Sequence, residues 1–153
     1  MRRGRRFGID VGHVRVGVAT CDPDGLVATP VTTLRRGDED VAEVARLVEE
    51  SGAIEVIVGL PLHMNGTEGD SAHYAREWAT ALAHKVDVPI RMVDERLSTV
   101  SAHAQLRAAG RDTRTHRSVV DQAAAMVILE TALETERRTG HAAGELVDTG
   151  RNS

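Results

Sequence analysis

Apolar and polar residues alternate strictly at the start of the chain. In Phe7-Gly-Ile-Asp-Val11 the apolar Phe7, Ile9 and Val11 share one face of a predicted strand, and Asp10 points to the other. Residues 14–20 repeat the alternation with Val14, Val16 and Val18, and Gly12 and His13 suit a tight connection between the two. Asp22-Pro-Asp-Gly25 is a turn signal, so residues 26–34 form a third strand of an antiparallel meander. The period then changes. Asp38 is placed to cap a helix whose apolar positions are Val41, Val44, Ala45, Leu47 and Val48, with Gly52 as its stop. Residues 54–58 are almost wholly apolar, as a central parallel strand requires, and run into Gly59-Leu-Pro61. A polar loop with Asn65-Gly66 leads to a helix over 71–85 with Tyr74, Ala75, Trp78 and Leu82 inward. Residues 88–93 form the next strand, with Pro89 at its entry. Ser98 or Thr99 caps a helix carrying Val100, Ala104 and Leu106. Residues 110–117 read as a basic loop, and Ser118 caps a last helix ending near Arg138.

The order βββ-α-β-α-β-α-α predicts one α/β domain over 1–138: a mixed five-stranded sheet, meander first and parallel strands after, flanked by helices. The Gly-rich polar tail 139–153 is expected to be disordered. The chain has 153 residues, enough for one ordinary domain. No apolar run reaches the ~20 residues of a membrane span, and the basic opening lacks the apolar stretch of a signal peptide, so no membrane partner and a cytoplasmic location are expected. The single cysteine, Cys21, excludes an intrachain disulfide and a Cys-rich zinc site.

Charge changes this picture more than composition does. The formal net charge is −4, which on its face disfavours nucleic acid. Yet residues 1–20 sum to +4 and residues 91–117 to +3, while residues 38–70 sum to −8. Arginines number 18 against one lysine; this suits phosphate recognition by planar guanidinium groups, or simply reflects GC-rich codons. Phe7, Tyr74 and Trp78 are the only aromatics, too few for a reader that stacks bases on an aromatic platform.

Three carboxylates stand out. Asp10 interrupts an apolar strand, Glu95 directly follows the strand ending at Val93-Asp94, and Asp121 lies on a helix that is apolar almost all round. A buried carboxylate is costly unless it is paired, protonated or bound to a metal. The small neighbours Ala124 and Ala125 would let the helix approach the sheet and bring Asp121 to Asp10. Three such acids make an oxygen-rich site for Mg²⁺ or Mn²⁺, of the kind that hydrolyses phosphodiesters with two ions. Each acid also has a plainer role: Asp121 in a capping box with Ser118, Glu95 paired with Arg91 or Arg96, Asp10 serving the turn at Gly12. The loop 59–66 could hold phosphate through backbone N–H groups, or be an ordinary connection. The seven histidines form no HExxH pair, Cys21 has no activating neighbour, and there is neither a Walker A sequence nor a nucleophile elbow.

Six motifs occur in order: residues 8–19 (GIDVGHVRVGVA), Asp22-Pro, residues 58–61 (VGLP), residues 65–69 (NGTEG), residues 93–99 (VDERLST) and residues 120–125 (VDQAAA). Together they resemble the YqgF family, also called RuvX, a group of Holliday junction resolvases or pre-16S rRNA nucleases, over roughly residues 5–135. The resemblance implies an RNase H-like fold and a shared catalytic and metal site of Asp10, Glu95 and Asp121. It places Arg15, Asn65, Gly66 and Arg96 against the nucleic-acid backbone or beside the site. Val14 stands where the family often has Lys, and Cys21 where it often has Ser. The function implied is a Mg²⁺- or Mn²⁺-dependent nuclease, monomer or homodimer, acting on the 5′ end of pre-16S rRNA, with ribosomal particles among its partners. The same acids would serve a resolvase of branched DNA, and a non-catalytic assembly factor with a vestigial site is the third reading. An actin-like kinase, suggested by Asp-x-Gly near the N-terminus, needs a second domain that 153 residues cannot supply.

Overall fold

The computed structural model describes the backbone of residues 1–97 and 113–148. Strands β1 (Arg6–Val11), β2 (Arg15–Cys21) and β3 (Ala28–Arg35) form the expected antiparallel meander. Helix α1 (Asp40–Ser51) leads to β4 (Glu55–Leu60), helix α2 (Asp70–Ala83) to β5 (Ile90–Asp94), and a single 3₁₀ turn (Glu95–Leu97) follows β5. Helix α3 (Thr113–Thr139) precedes a two-residue strand β6 (Glu145–Leu146). The sheet order is β3-β2-β1-β4-β5-β6, with β1, β4 and β5 parallel and the rest antiparallel. Strands formed by long crossovers thus lie at the centre, where burial on both faces selects Val and Ile.

The sheet's two faces are built differently. Phe7, Ile9, Val16, Val18, Val56, Val58, Ile90 and Met92 point towards α1 and α2 and pack with Val44, Val48, Trp78 and Leu82 in the main core. Trp78 also donates its indole N–H to the buried carboxylate of Asp40 at 3.1 Å. The opposite face lies under α3, and three of its central positions are glycines. A Cβ at Gly8 would sit 2.6 Å from the Ala125 carbonyl oxygen; one at Gly17 would sit 2.0 Å from the Asp121 carbonyl oxygen. A Cβ at Gly59 would sit 2.4 Å from Glu95 Oε1 and 2.6 Å from Ile128 Cδ1. Mid-strand glycine here marks the place where another backbone must come close.

At the opposite end of this face from Asp10, Arg6, Glu55 and Glu136 are all nearly inaccessible (1%, 2% and 4% exposed). Arg6 pairs with Glu136 at 2.9 Å, Arg2 bridges Glu136 and Glu55, and Arg91 closes on Glu55 at 3.2 Å. Arginines from both basic segments are therefore spent on holding β1, β4, β5 and α3 together. This constellation holds Glu136 down to about 2 despite its burial.

Four expectations change. The sheet has six strands rather than five, and the sixth lies in the segment expected to be a disordered tail. Ala143 is buried against the α3 face, Gly144 (φ +88°) passes where a Cβ would meet the Met92 carbonyl oxygen, and Arg76 reaches Glu145 at 2.6 Å. The last helix begins at Thr113, so part of the expected basic loop is helical, Ser118 is no cap, and Asp121 is two turns inside. Tyr74 is exposed rather than inward, its ring meeting His13 edge-on at 5.3 Å. Finally, α1 begins at Asp40 with Glu39 at its cap position and no side-chain cap bond, rather than being capped by Asp38. The helix expected after Ser98 lies outside the described residues. No helix among the described residues is long and apolar enough to cross a membrane.

Gly17→Ala should cost about 1–3 kcal/mol, the usual range for forcing a methyl group into a filled site. Urea unfolding would check this: a midpoint equal to that of the wild type would show that α3 does not press on β2 as described.

Candidate active site

Asp10 is the fifth residue of β1, on the α3 side of the sheet and directly opposite Gly17 of β2. Because Gly17 has no side chain, α3 passes over it with the backbone of Asp121 in contact, and this carries the Asp121 side chain to the neighbourhood of Asp10. Glu95 leaves the end of β5, two strands from β1, and its carboxylate lies over the bare Cα of Gly59 on the strand between. The three acids thus come from β1, the β5 terminus and α3, and the glycines make the space they share.

Asp10 and Glu95 are hydrogen-bonded to each other. Two carboxyls can bond in this way only when one of them is protonated. Burial is the main reason both resist ionising. Asp10 is raised to about 6, with Asp121 pushing the same way and the bond from Glu95 opposing. Glu95 is raised to about 7, with the charges of Asp10 and Asp94 adding to burial. Asp121 faces elsewhere: its Oδ2 accepts from Arg15 Nε at 2.6 Å. The structure therefore brings two of the three acids into contact and leaves the third beside them, held by Arg15. Among the described residues no three carboxylates are clustered closely enough to hold a metal ion as they stand. The donors themselves are hard oxygens, the kind that Mg²⁺ and Mn²⁺ select.

The remaining expected residues form a rim. The loop after β4 is a small hairpin closed by the Leu62–Glu68 bridge and by His63 N–H to the Thr67 carbonyl at 2.9 Å. Asn65 Oδ1 accepts from the backbone N–H and the hydroxyl of Thr67, and Gly66 takes a φ of +87° that side-chain-bearing residues rarely adopt. Arg96 donates to the Met64 carbonyl at 3.2 Å and passes 3.4 Å from where a Gly66 Cβ would stand. Arg96, the residue after Glu95, therefore meets the hairpin at Met64 and Gly66, and Asn65 braces the hairpin from within. Arg96 is aimed by Asp94, which accepts from both its backbone N–H and its guanidinium. The β1–β2 connection bearing Arg15 is held in turn by Arg36, which bonds the Gly12 carbonyl at 2.9 Å and pairs with buried Asp40.

Reasoning from sequence missed Gly8, Gly17 and Gly59 as residues that shape the site, although their mid-strand positions were a legible signal. It also missed Asp94 and Arg36, whose roles depend on contacts that no spacing reveals.

Comparison with known proteins supplies the lineage. The profile of the family described as "RuvX: Holliday junction resolvase" matches residues 4–135. A Nocardioides protein named "Putative pre-16S rRNA nuclease" is 53% identical, the match covering 97% of this chain and 99% of that one. A Streptomyces avermitilis protein of the same name is 50% identical, covering 97% of each. Among solved structures, Thermus thermophilus RuvC superposes with a TM-score of 0.57 at 15% identity, over 90% of this chain and 98% of that one. The same protein in complex with a Holliday junction substrate gives 0.56 at 16% identity. At that identity the likeness speaks for the fold, which is RNase H-like. With a match over most of its length and relatives at half identity, the chain belongs to the RuvX family.

Proposed function

We propose that this chain is a metal-dependent nuclease that hydrolyses phosphodiesters at the 5′ end of pre-16S rRNA in the cytoplasm. The carrying observation is the contact of two half-buried carboxyls, Asp10 and Glu95, with Asp121 alongside on α3. A fold does not keep two acids in contact under a helix for stability's sake, since burial penalises both. The choice of RNA follows the names of relatives at about half identity over nearly the whole chain.

Asp10, Glu95 and Asp121 are the residues that would hold Mg²⁺ or Mn²⁺. Such ions, when bound, activate the attacking water and stabilise the leaving oxygen. The chain's own residues do the rest. Arg15 and Arg96 offer guanidinium donors to non-bridging phosphate oxygens, which they bind bidentately. Asn65 and Gly66 hold the rim hairpin in the one shape that leaves Arg96 a path across it. Arg36 and Asp94 are positioning residues, fixing the turn that bears Arg15 and the guanidinium of Arg96.

The second reading, a resolvase of branched DNA, is favoured by the family's description and by the RuvC fold. It uses the same acids and differs in substrate and in requiring a dimer. Cleavage of precursor rRNA against four-way junctions, at one stated salt concentration, separates the two, because affinity for phosphate depends steeply on salt.

Asp10→Asn should lower Mg²⁺- or Mn²⁺-dependent cleavage by at least about a hundredfold, since it removes a carboxylate that would hold the ions. Cleavage at the wild-type rate in that variant would sink the assignment. RNA binding without any cleavage by the wild type would instead mark a non-catalytic assembly factor.

A pH effect follows from the two raised carboxyls. Both carboxyls are raised relative to the unfolded chain, so the folded metal-free protein binds more protons and its stability declines as pH rises from about 4 to about 7. Asp10→Asn should therefore melt above the wild type at pH 8 without metal, and the gap should shrink by pH 5. Adding Mg²⁺ at pH 8 should raise the wild type alone. Thermal melts with and without chelator measure both; parallel pH curves for the two proteins would contradict the upward shift of the two carboxyls.

A further inference from the structure

Arg15 lies directly across from Arg35 in the β2–β3 ladder. The pairing is produced by a bulge. From Cys21↔Ala28 to Ala19↔Pro30 the register is regular, then it shifts between Val18 and Ala19 so that Val18 faces Thr32. Without that extra residue Arg15 would face Leu34, and Arg35 would point to the α1 and α2 side of the sheet. With it, Leu34 packs against the main core and Arg35 turns to the α3 side beside Arg15. Bulges re-aim side chains in this way and are common next to active sites.

Like charges placed directly opposite in a sheet are destabilising. The ladder carries the pair nevertheless, and among the described residues the one carboxylate paired with either arginine is Asp121. Asp121 engages Arg15 at 2.6 Å, whereas Arg35 is exposed and, among the described residues, has no ion pair or side-chain hydrogen bond. One step inward on the same face, Thr33 accepts from Gln122 Nε2 at 3.1 Å, which seats α3 over β3 at Thr33, and Arg35 is the next position outward on that face. Arg36, its neighbour in sequence, is turned away to Gly12 and Asp40.

We propose that Arg35 is a substrate-binding residue: with Arg15 it grips a backbone phosphate of the nucleic-acid strand, flanking the scissile one. The inference rests on the nuclease reading and adds the direction of the strand to it. Arg35 is two strands from β1, roughly 10 Å from the Asp10 strand across the sheet. That is too far for the reacting phosphate and suited to a neighbouring one. The strand then crosses the open ends of β3 and β2 before it reaches the acids, and continues towards Arg96 on the far side. Guanidinium pairs suit this role because they bind phosphate through fixed, parallel N–H donors.

The test is binding of a single-stranded RNA covering the precursor 5′ end, in the Asp10→Asn background so that nothing is cut, titrated from low to high salt. Arg35→Ala should lower affinity several-fold at ~0.1 M salt and make the slope of log K against log salt shallower by about 0.7, the release of counterions from one phosphate of a single strand. Arg35→Lys should recover most of the slope, since charge alone sets it. Arg46→Ala, an exposed arginine paired with Glu43 and Glu50 on α1, is the control and should leave the slope as it was. The melting temperature of Arg35→Ala should equal or exceed that of its parent, because a like-charge contact is removed. Superposable salt plots for Arg35→Ala and its parent would overturn this inference and leave the nuclease reading standing. A wild type that neither binds nor cuts RNA or junction DNA would overturn both.

Discussion

Everything that sets this site apart depends on how closely helix α3 lies against the sheet. At Gly8 and Gly17 the backbone of α3 occupies the space where a side chain would otherwise stand, and at Gly59 Glu95 and Ile128 do so. On the other face, branched side chains keep the helices at the usual distance and make an ordinary core. Removing one layer of side chains on the α3 face does two things at once. It lets a helical acid approach a strand acid, and it opens a slot in which the Glu95 carboxylate can lie down over β4. The cost is that both acids are partly withdrawn from water, and this burial pushes both carboxyls up from their ordinary values.

The arginines divide by position along that same face. At the β1 entry end, Arg2, Arg6 and Arg91 are committed to Glu55 and Glu136, and the ion-paired cluster ties β1, β4, β5 and α3 to one another. At the other end Arg15, Arg35 and Arg96 surround the acids, and their partners are few. The net charge of −4 is therefore no guide to the binding face. Much of the acidic excess sits on the exposed side of α1 and in the loop before α2, paired locally as in Arg46 with Glu43 and Glu50 or Arg76 with Glu68. A basic segment in sequence is likewise no proof of a free basic surface, since Arg2, Arg3 and Arg6 are ion-paired with Glu55, Glu136 and Asp24.

The order of strands and helices was legible because alternation and helical period are local and strong here. The apolar run before Gly59 could only be a central strand, and the sheet places it there. What escaped was set by distant partners. Strand β6 is two residues long and owes its place to Ala143 burial, Gly144 and the reach of Arg76, none of which makes a periodic signal. Tyr74 falls on the inward side of a helical wheel, yet His13 from the β1–β2 connection lies against it at the surface. The early start of α3 was hidden because residues 113–117 are polar and show no apolar stripe. The three acids were identifiable one by one. The direction in which Asp121 points was not, because Arg15 lies 106 residues away in the chain. Arg35 depended on a bulge, and a one-residue slip in register reverses which face a side chain takes.

The Arg15–Asp121 contact ties recognition to chemistry under the nuclease reading. Both groups have a second partner in prospect: phosphate for the guanidinium, a divalent cation for the carboxylate. While they hold each other, the Arg15 Nε–H and the Asp121 Oδ2 are engaged. Whatever draws Arg15 onto a phosphate frees Asp121, and whatever claims Asp121 frees Arg15. The two binding events therefore favour each other by the same factor, as linkage requires. A chain with so few aromatic residues cannot select its substrate by stacking bases. Under the nuclease reading, a phosphate drawn onto Arg15 would loosen Asp121, and selection of that form would read the path of the backbone rather than its sequence.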